Sequence, residues 1–381
     1  ALSEKIEISD DFYLLAGGLR ALAYIGLDQP ETALGLLHEL EGFIAVSDTA
    51  QETVILLLGG YIFEYLENKE EATRYFRQVL AKSQDEYITL SAGAGLWRQG
   101  KSLQAENLWL TGLAADAAPL TLIAKMHNHT STVSHAPTLD KIIAQFLFDT
   151  SWLSKDSYHK NLTIARAHLA ISINHDLDAA HMALAKWYLN ANNISRAETH
   201  LNSINEDAPL ALRRRLLQLA LAEEIGKTAE ALANLNRELT SNEDVSADAL
   251  ATSMKIEKGL LAQAGGDMWR RNNACIKALP FYQLALDNGL DSYRLHRSMG
   301  ICFEQTENDA QAEQALLRAI ELNPNDAISL NYLGYWWADE GRHLQKAITL
   351  IKKAVRLRPH SGYYADSLGW VYYRQGVFNE A

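Results

Sequence analysis

The sequence predicts an all-α protein, a solenoid of stacked antiparallel helix pairs. Three observations lead there. First, a block of small and large residues recurs near the C-terminus at a period of about 34 residues. It runs Met299-Gly300, Phe303, Ala312, Leu316, Ala319, Pro324, then Leu333-Gly334, Trp337, Ala347, Ile351, Ala354, Pro359, and reopens at Leu368-Gly369, Tyr372, Gly376 and Ala381. Second, Ala and Leu dominate, and only 7 prolines interrupt 381 residues, a composition that favours helix. Third, 48% hydrophobic and 22% charged residues are the proportions of a folded soluble chain. Arrays of repeats grow by adding units, so this length does not by itself require two or three separate cores.

The units can be followed from the N-terminus. Gly26, Ala33 and Leu37 suggest a first pair; Gly60, Phe63, Ala72 and Phe76 form a second; Gly93, Leu96, Gly100, Ala105 and Trp109 form a third. These make a degenerate N-terminal array over residues 1–113. Residues 114–138 read as an irregular connection, rich in Ser and Thr and carrying His127, His129 and His135. A C-terminal array, 139–381, follows. Its first pair is expected over Leu139–Leu153 and Asn161–Asn174. Leu184-Ala185, Tyr188, Ala197, Leu201 and Pro209 keep the spacing well. Gly226, Ala231 and Leu235 continue it, although Gln218 and Leu219 stand where an apolar–small pair is expected. The next unit runs through Gly259, Ala278, Tyr282 and Ala285, with an insertion near 265–273 (GGDMWRRNN) between its helices. The total is about nine helix pairs plus a truncated one.

The residue types follow from packing. Gly334, Ala347 and Ala354 are small where helix axes approach most closely, and Trp337 and Ile351 fill the space beside them. Gly341 and Gly376 sit where a left-handed cap ends the first helix of a unit. Pro324 and Pro359 stop the second helix, because proline has no N–H with which to continue it. One unit cannot bury its own apolar face, so neighbours stack.

These repeats resemble the tetratricopeptide (TPR) repeat, most specifically in residues 292–381, well in 178–210, and more weakly towards residue 10. The resemblance implies a right-handed α-α superhelix. The stretches Ser329-Leu330-Asn331-Tyr332-Leu333-Gly334-Tyr335 and Asp366-Ser367-Leu368-Gly369-Trp370 with Tyr372-Tyr373 are similar to a family of long bacterial, largely proteobacterial, TPR proteins. So is the extra residue within Glu340–Lys346. That family has no common assigned enzymatic activity, and its members are often exported or membrane-anchored. The resemblance therefore leans towards a periplasmic or membrane-associated location, with the cytoplasm as the alternative. The final copy is cut in mid-repeat, so the chain reads as an excerpt, and the lack of a signal peptide at residue 1 carries no information.

The net charge is −12, with 18 acidic against 8 basic residues in 1–120 and 5 against 7 in 326–381. Nucleic acid is a poor partner for such a surface. No apolar run reaches the ~20 residues of a membrane span. Cys275 and Cys302 lie in no CxxC pair and near no His cluster. Buried free thiols are the expectation, with a disulfide as the alternative in an oxidising compartment. No phosphate loop, GxSxG or HExxH occurs, and no cofactor is implied. His127, Asn128, His129 and His135 read as a solvated loop rather than metal ligands, and Asn128-His129-Thr130 as a chance glycosylation match. Arg213-Arg214-Arg215 reads as a solvated helix face, with an anion or acidic-peptide contact as the alternative.

The functional expectation is a protein–protein interaction scaffold. In related repeats the first helix of each unit lines the inner wall. Carried over position by position, this selects Arg294 and Arg297, then Asn331 and Tyr335, then Tyr363, Asp366, Trp370 and Tyr373. These aromatic, basic and amide groups have the composition of a binding hot spot. Trp269, Arg270 and Arg271 are expected to project from the insertion as a second contact. The partner is a protein or peptide. The alternative is a structural or assembly subunit that uses its outer face and edges, with self-association through exposed array ends also open.

Overall fold

Helix pairs account for the regular structure throughout. A computed structural model describes residues 10–44, 49–83, 86–100, 137–152, 160–205, 211–240 and 249–381. Among the described residues there are eighteen α-helices and one 3-10 turn, and no strand. In chain order they are α1 (Asp10–Gly26), α2 (Pro30–Ile44), α3 (Thr49–Tyr65), α4 (Lys69–Lys82), α5 (Glu86–Arg98), α6 (Leu139–Asp149), α7 (Lys160–Ile173), α8 (Asp178–Asn190) and α9 (Ile194–Asn202). Then follow α10 (Ala211–Glu224), α11 (Thr228–Thr240), α12 (Ala249–Arg271), α13 (Cys275–Asp287), α14 (Tyr293–Gln305), α15 (Asp309–Leu322), α16 (Ala327–Asp339), α17 (Leu344–Leu357) and α18 (Gly362–Arg374). The helices group into two compact units, residues 1–221 with 247–253, and residues 222–246 with 254–381. His127, His129 and His135, with Ala105, Trp109 and Pro209, lie outside the described residues.

In the second unit the small residues do what the spacing requires. A Cβ on Gly300 would lie 2.6 Å from Leu316, and one on Gly334 2.7 Å from Ile351. Glycine thus marks the crossing of the first and second helix of each pair, and any larger residue would push them apart. Ala312, Leu316, Ala319, Ala347, Ile351 and Ala354 are fully buried against these crossings. Gly341 and Gly376 close α16 and α18 with left-handed φ of 71° and 78°, as expected of the cap position. Asp326 caps α16 by accepting the Ser329 N–H.

Two expectations are corrected here. Residues 265–271 are not an insertion between helices; they are the last turns of α12. Gly266, not Gly259, makes the crossing of this unit, since a Cβ there would meet the Tyr282 ring at 2.5 Å. Gly259 lies about two turns before the crossing, because α12 is 23 residues long and extends the unit at its N-terminal end. Cys275 and Cys302 are not free thiols. They form a disulfide across 27 residues that ties the start of α13 to the last turn of α14 in the next repeat. In the chain-entropy account a loop of this size contributes about 3 to 4 kcal/mol.

The first unit departs from a plain stack. Its first helices α1, α3 and α5 pack in succession, and α6 lies on them. Leu139 at the start of α6 reaches Gly26, and Phe146 reaches Gly18, where an added Cβ would sit 2.1 Å from the ring. Ile142 and Phe146 are buried in one core with Leu22, Leu57, Leu58 and Tyr61. The fully buried Asp149 carboxylate closes this contact. It accepts the Tyr61 hydroxyl at 2.8 Å, the Gln145 amide at 2.9 Å and the Ser91 hydroxyl at 3.1 Å. Burial, then the adjacent carboxylate, drives the Tyr61 phenol well above its ordinary pKa, so it stays a donor. The expected pair after the connection appears as α6, extended by a 3-10 turn at Thr150–Trp152, and α7.

Candidate functional site

In the second unit the first-helix face is uncovered on α16 and α18. Tyr335 is 40% exposed, Tyr363 66% and Tyr373 53%. Trp370 is half-buried and stacks on Tyr373, with ring centroids 5.5 Å apart. Asp366 is exposed. Successive turns of one helix thus present Asp366, Trp370 and Tyr373 together, as their spacing of three and four residues dictates.

Asn331 differs from its neighbours. It is 1% exposed, and neither its amide nitrogen nor its amide oxygen has a hydrogen-bond partner. The indole N–H of Trp370 is likewise buried and unpartnered. Leaving such groups unsatisfied costs about 1 to 3 kcal/mol each. The Asn331 carboxamide therefore keeps unused donor and acceptor capacity, able to accept an N–H and donate to a C=O.

The two arginines are committed elsewhere. Arg297 donates to Asp326 at 2.8 Å, linking α14 to the cap of α16, and both side chains are largely buried. Burial opposes ionisation of Asp326, but the Ser329 and Arg297 hydrogen bonds outweigh it and hold the carboxyl below its ordinary pKa. Arg294 lies against Tyr293, whose hydroxyl accepts from its Nε at 3.2 Å. Arg297 is therefore a strut between repeats as well as a residue of the face.

Trp269, Arg270 and Arg271 do not project from a loop. Lys277 lies over the Trp269 ring at 4.5 Å, Arg270 approaches Asp267 at 3.5 Å, and Arg271 pairs with Glu223 at 2.6 Å. Asp267 also accepts the Tyr282 and Ser298 hydroxyls, each at 2.9 Å. Nor is the arginine run a purely solvated face, since all three of its residues are half-buried and Arg214 donates to the Ile204 carbonyl at 2.8 Å.

Sequence reasoning passed over two members of the face. Ile328 is 46% exposed and stands 34 residues after Arg294 and 35 before Tyr363. Glu304 follows Arg297 by the same seven residues that separate Tyr373 from Asp366, and it accepts the Tyr332 hydroxyl at 2.9 Å. Applying the same offsets to every unit would have found both.

One further polar cluster lies in the first unit, between α7, α8 and α9. The Nδ1 atoms of His181 and His200 are 3.1 Å apart, His168 Nε2 is 2.9 Å from the Tyr188 hydroxyl, and His181 Nε2 is 3.0 Å from the His175 carbonyl. Tyr188 stacks on His200 with Arg196 beside it. Burial, then the neighbouring His181, His168 and Arg196, lowers His200 to about 4. Burial is also the main cause of the lowered pKa of His168 and His181. The surroundings thus favour the neutral form of these three imidazoles. Among the described residues no group of three or more His, Cys, Asp or Glu is placed to hold a metal ion, and no helix is long and apolar enough to cross a membrane.

No family model matches the chain. It is similar to a TPR repeat-containing protein of Pseudomonas aeruginosa, 27% identical over 215 residues that cover 54% of this chain and 32% of that one. It is also similar to the probable UDP-N-acetylglucosamine–peptide N-acetylglucosaminyltransferase SPINDLY of Arabidopsis thaliana, 28% identical over 102 residues that cover 27% of this chain and 11% of that protein. The chain thus spans a third or less of the curated relatives it matches. Among solved structures, yeast Tom70 overlays with a TM-score of 0.49 at 10% identity, covering 97% of each chain. Helix pairing among the described residues, glycine at the crossings of the second unit and similarity to a repeat-containing relative give the chain a helical fold of the tetratricopeptide-repeat kind.

Proposed function

We propose that the chain is a protein-interaction scaffold that holds an extended segment of a partner protein on the first-helix face of α16 and α18. The observation that carries this reading is Asn331. Its buried amide lacks both hydrogen-bond partners on the helix that carries the exposed Ile328 and Tyr335. An extended peptide offers an N–H and a C=O on the same side of one residue, which matches a carboxamide. Tyr335, Tyr363 and Tyr373 supply stacking area at little conformational cost. The partner is protein rather than nucleic acid, given a net charge of −12. The reading assigns no catalytic step to this chain.

Selection of displayed random dodecapeptides on the full chain tests this. Enriched peptides should lose about tenfold or more in affinity on Asn331→Leu, since leucine keeps the volume and removes both polar atoms. Enriched peptides that bind Asn331→Leu and Tyr335→Ala as well as wild type would refute the assignment.

A second reading has its own observation. The second helices carry exposed Leu317 (45%), Leu322 (36%) and Leu357 (39%), which suits a subunit docked through its outer face. In that case a Leu317→Glu, Leu357→Glu variant loses its assembly while Tyr335→Ala keeps it.

A further inference from the structure

We propose that the Cys275–Cys302 disulfide is an exchange site for a low-molecular-weight zwitterionic thiol, which enters a cavity beside Cys275 and forms a mixed disulfide there. The cavity has a volume of about 500 Å³ and lies between two successive turns, Asn273–Ala274 before α13 and Gln305–Glu307 after α14. Cys275 lines it and Cys302 does not. Cys302 is fully buried, while Cys275 keeps 5% exposure, so an incoming thiolate meets the Cys275 sulfur.

The exchange balances without any other reagent. The thiolate sulfur bonds to Cys275 Sγ, the Cys275–Cys302 bond breaks, and its electron pair leaves on Cys302 Sγ, which takes up the proton lost by the thiol. One disulfide replaces another, so nothing is oxidised or reduced overall. In the reverse step Cys302 attacks the mixed disulfide and expels the thiol. The two sulfurs differ in kind. Cys275 is the first residue of α13, where the helix dipole favours a thiolate. Cys302 lies in the last turn of α14 and is fully buried. Cys275 is thus the partner-facing cysteine and Cys302 the resolving one.

The lining sets the class of thiol. Lys277 and Glu307 bring opposite charges to the cavity, which suits a molecule bearing both a carboxylate and an ammonium group. The Ile276 side chain, 77% exposed, adds apolar contact. Breaking the bond releases the covalent tie between two successive repeats.

The probe is glutathione, applied to the full chain under native conditions and followed by intact mass and peptide mapping. Treated with glutathione disulfide, Cys302→Ser, which lacks the resolving thiol, should accumulate glutathione on Cys275, with one glutathione leaving as its thiol. Cys275→Ser should react with the same reagent at Cys302 at least about tenfold more slowly. Lys277→Ala should slow glutathione by about threefold while leaving cysteamine, which has no carboxylate, unchanged. In partially reduced wild type, iodoacetamide should label Cys275 before Cys302, an arm that stands even if a variant fails to fold. Equal or reversed labelling of the two cysteines would overturn the proposal, and an equal effect of Lys277→Ala on both thiols would overturn the selectivity assigned to the cavity.

Discussion

The two units use the same kind of helix face in opposite ways. In the first, the faces of α1 and α3 are small or apolar where α6 crosses them, at Gly18, Leu57 and Tyr61, and the polar groups that remain satisfy one another around Asp149. In the second, α16 and α18 keep Ile328, Tyr335, Tyr363 and Tyr373 exposed and leave the Asn331 amide unpaired. A face that is finished internally shows closed hydrogen bonding and fully buried aromatics. The face of α16 and α18 shows neither, which is what supports placing the proposed binding on the C-terminal repeats although the N-terminal ones have the same architecture.

The largest effect should come from emptying the covered face. Phe146 is fully buried against Gly18, so Phe146→Ala should lower the stability of the first unit by about 3 to 5 kcal/mol. Chemical denaturation followed by circular dichroism measures this, and peptide binding by the second unit should not change. A loss below about 1 kcal/mol would mean that α6 is not seated as described. Next in size is the strut between repeats. Arg297→Ala removes the partner of the largely buried Asp326 and should cost about 1.5 to 3 kcal/mol. A variant combining it with Tyr335→Ala therefore confounds binding with stability, and the two belong in separate proteins.

The histidine cluster gives a smaller, pH-dependent effect confined to the first unit. His168, His181 and His200 have folded pKa values below the free imidazole value of 6.5, with His200 at about 4. Between these values the unfolded chain binds more protons than the folded one. The stability is therefore complete above about pH 6.5 and is lost as the pH falls towards 4, by up to about 1.4 kcal/mol per pH unit for each histidine. Arg196 and the other imidazoles oppose protonation of His200, while Asp176 favours that of His181. Melting curves at pH 7.5 and 5 should separate wild type from His200→Phe, whose stability falls less steeply. Parallel slopes would show that His200 is not the group responsible.

Much of the fold was legible because close helix crossings admit few residues. Gly300, Gly334, Ala312 and Ala347 announce themselves by size alone, and Gly341 and Gly376 by the left-handed turns they close. The register of α12 was not legible. Gly265-Gly266 resembles a loop, and only the Tyr282 ring packed on Gly266 identifies it as a crossing. The disulfide was equally hidden, since two cysteines 27 residues apart meet only because consecutive repeats stack with Cys275 and Cys302 at facing turns. Of the candidate face, spacing selected the positions, but it did not reveal that Arg297 is held by Asp326 or that Asn331 is buried with its amide unpaired. Both depend on what the neighbouring repeat places beside them.

The smallest stability effect should accompany the clearest functional one. Tyr335 is 40% exposed, so Tyr335→Ala should change stability by about 0.5 kcal/mol or less. Binding of a selected peptide should nevertheless weaken by about tenfold, the scale of losing one aromatic anchor. The corresponding change in the first unit, Tyr61→Ala, should do the reverse. Tyr61 is 3% exposed and donates to Asp149, so its removal takes away a buried ring and one of the carboxylate's donors, and costs stability without touching the proposed binding face. Isothermal titration and thermal melts of the two variants, side by side, decide the matter. If Tyr335→Ala destabilises and Tyr61→Ala does not, the open and covered faces have been assigned the wrong way round.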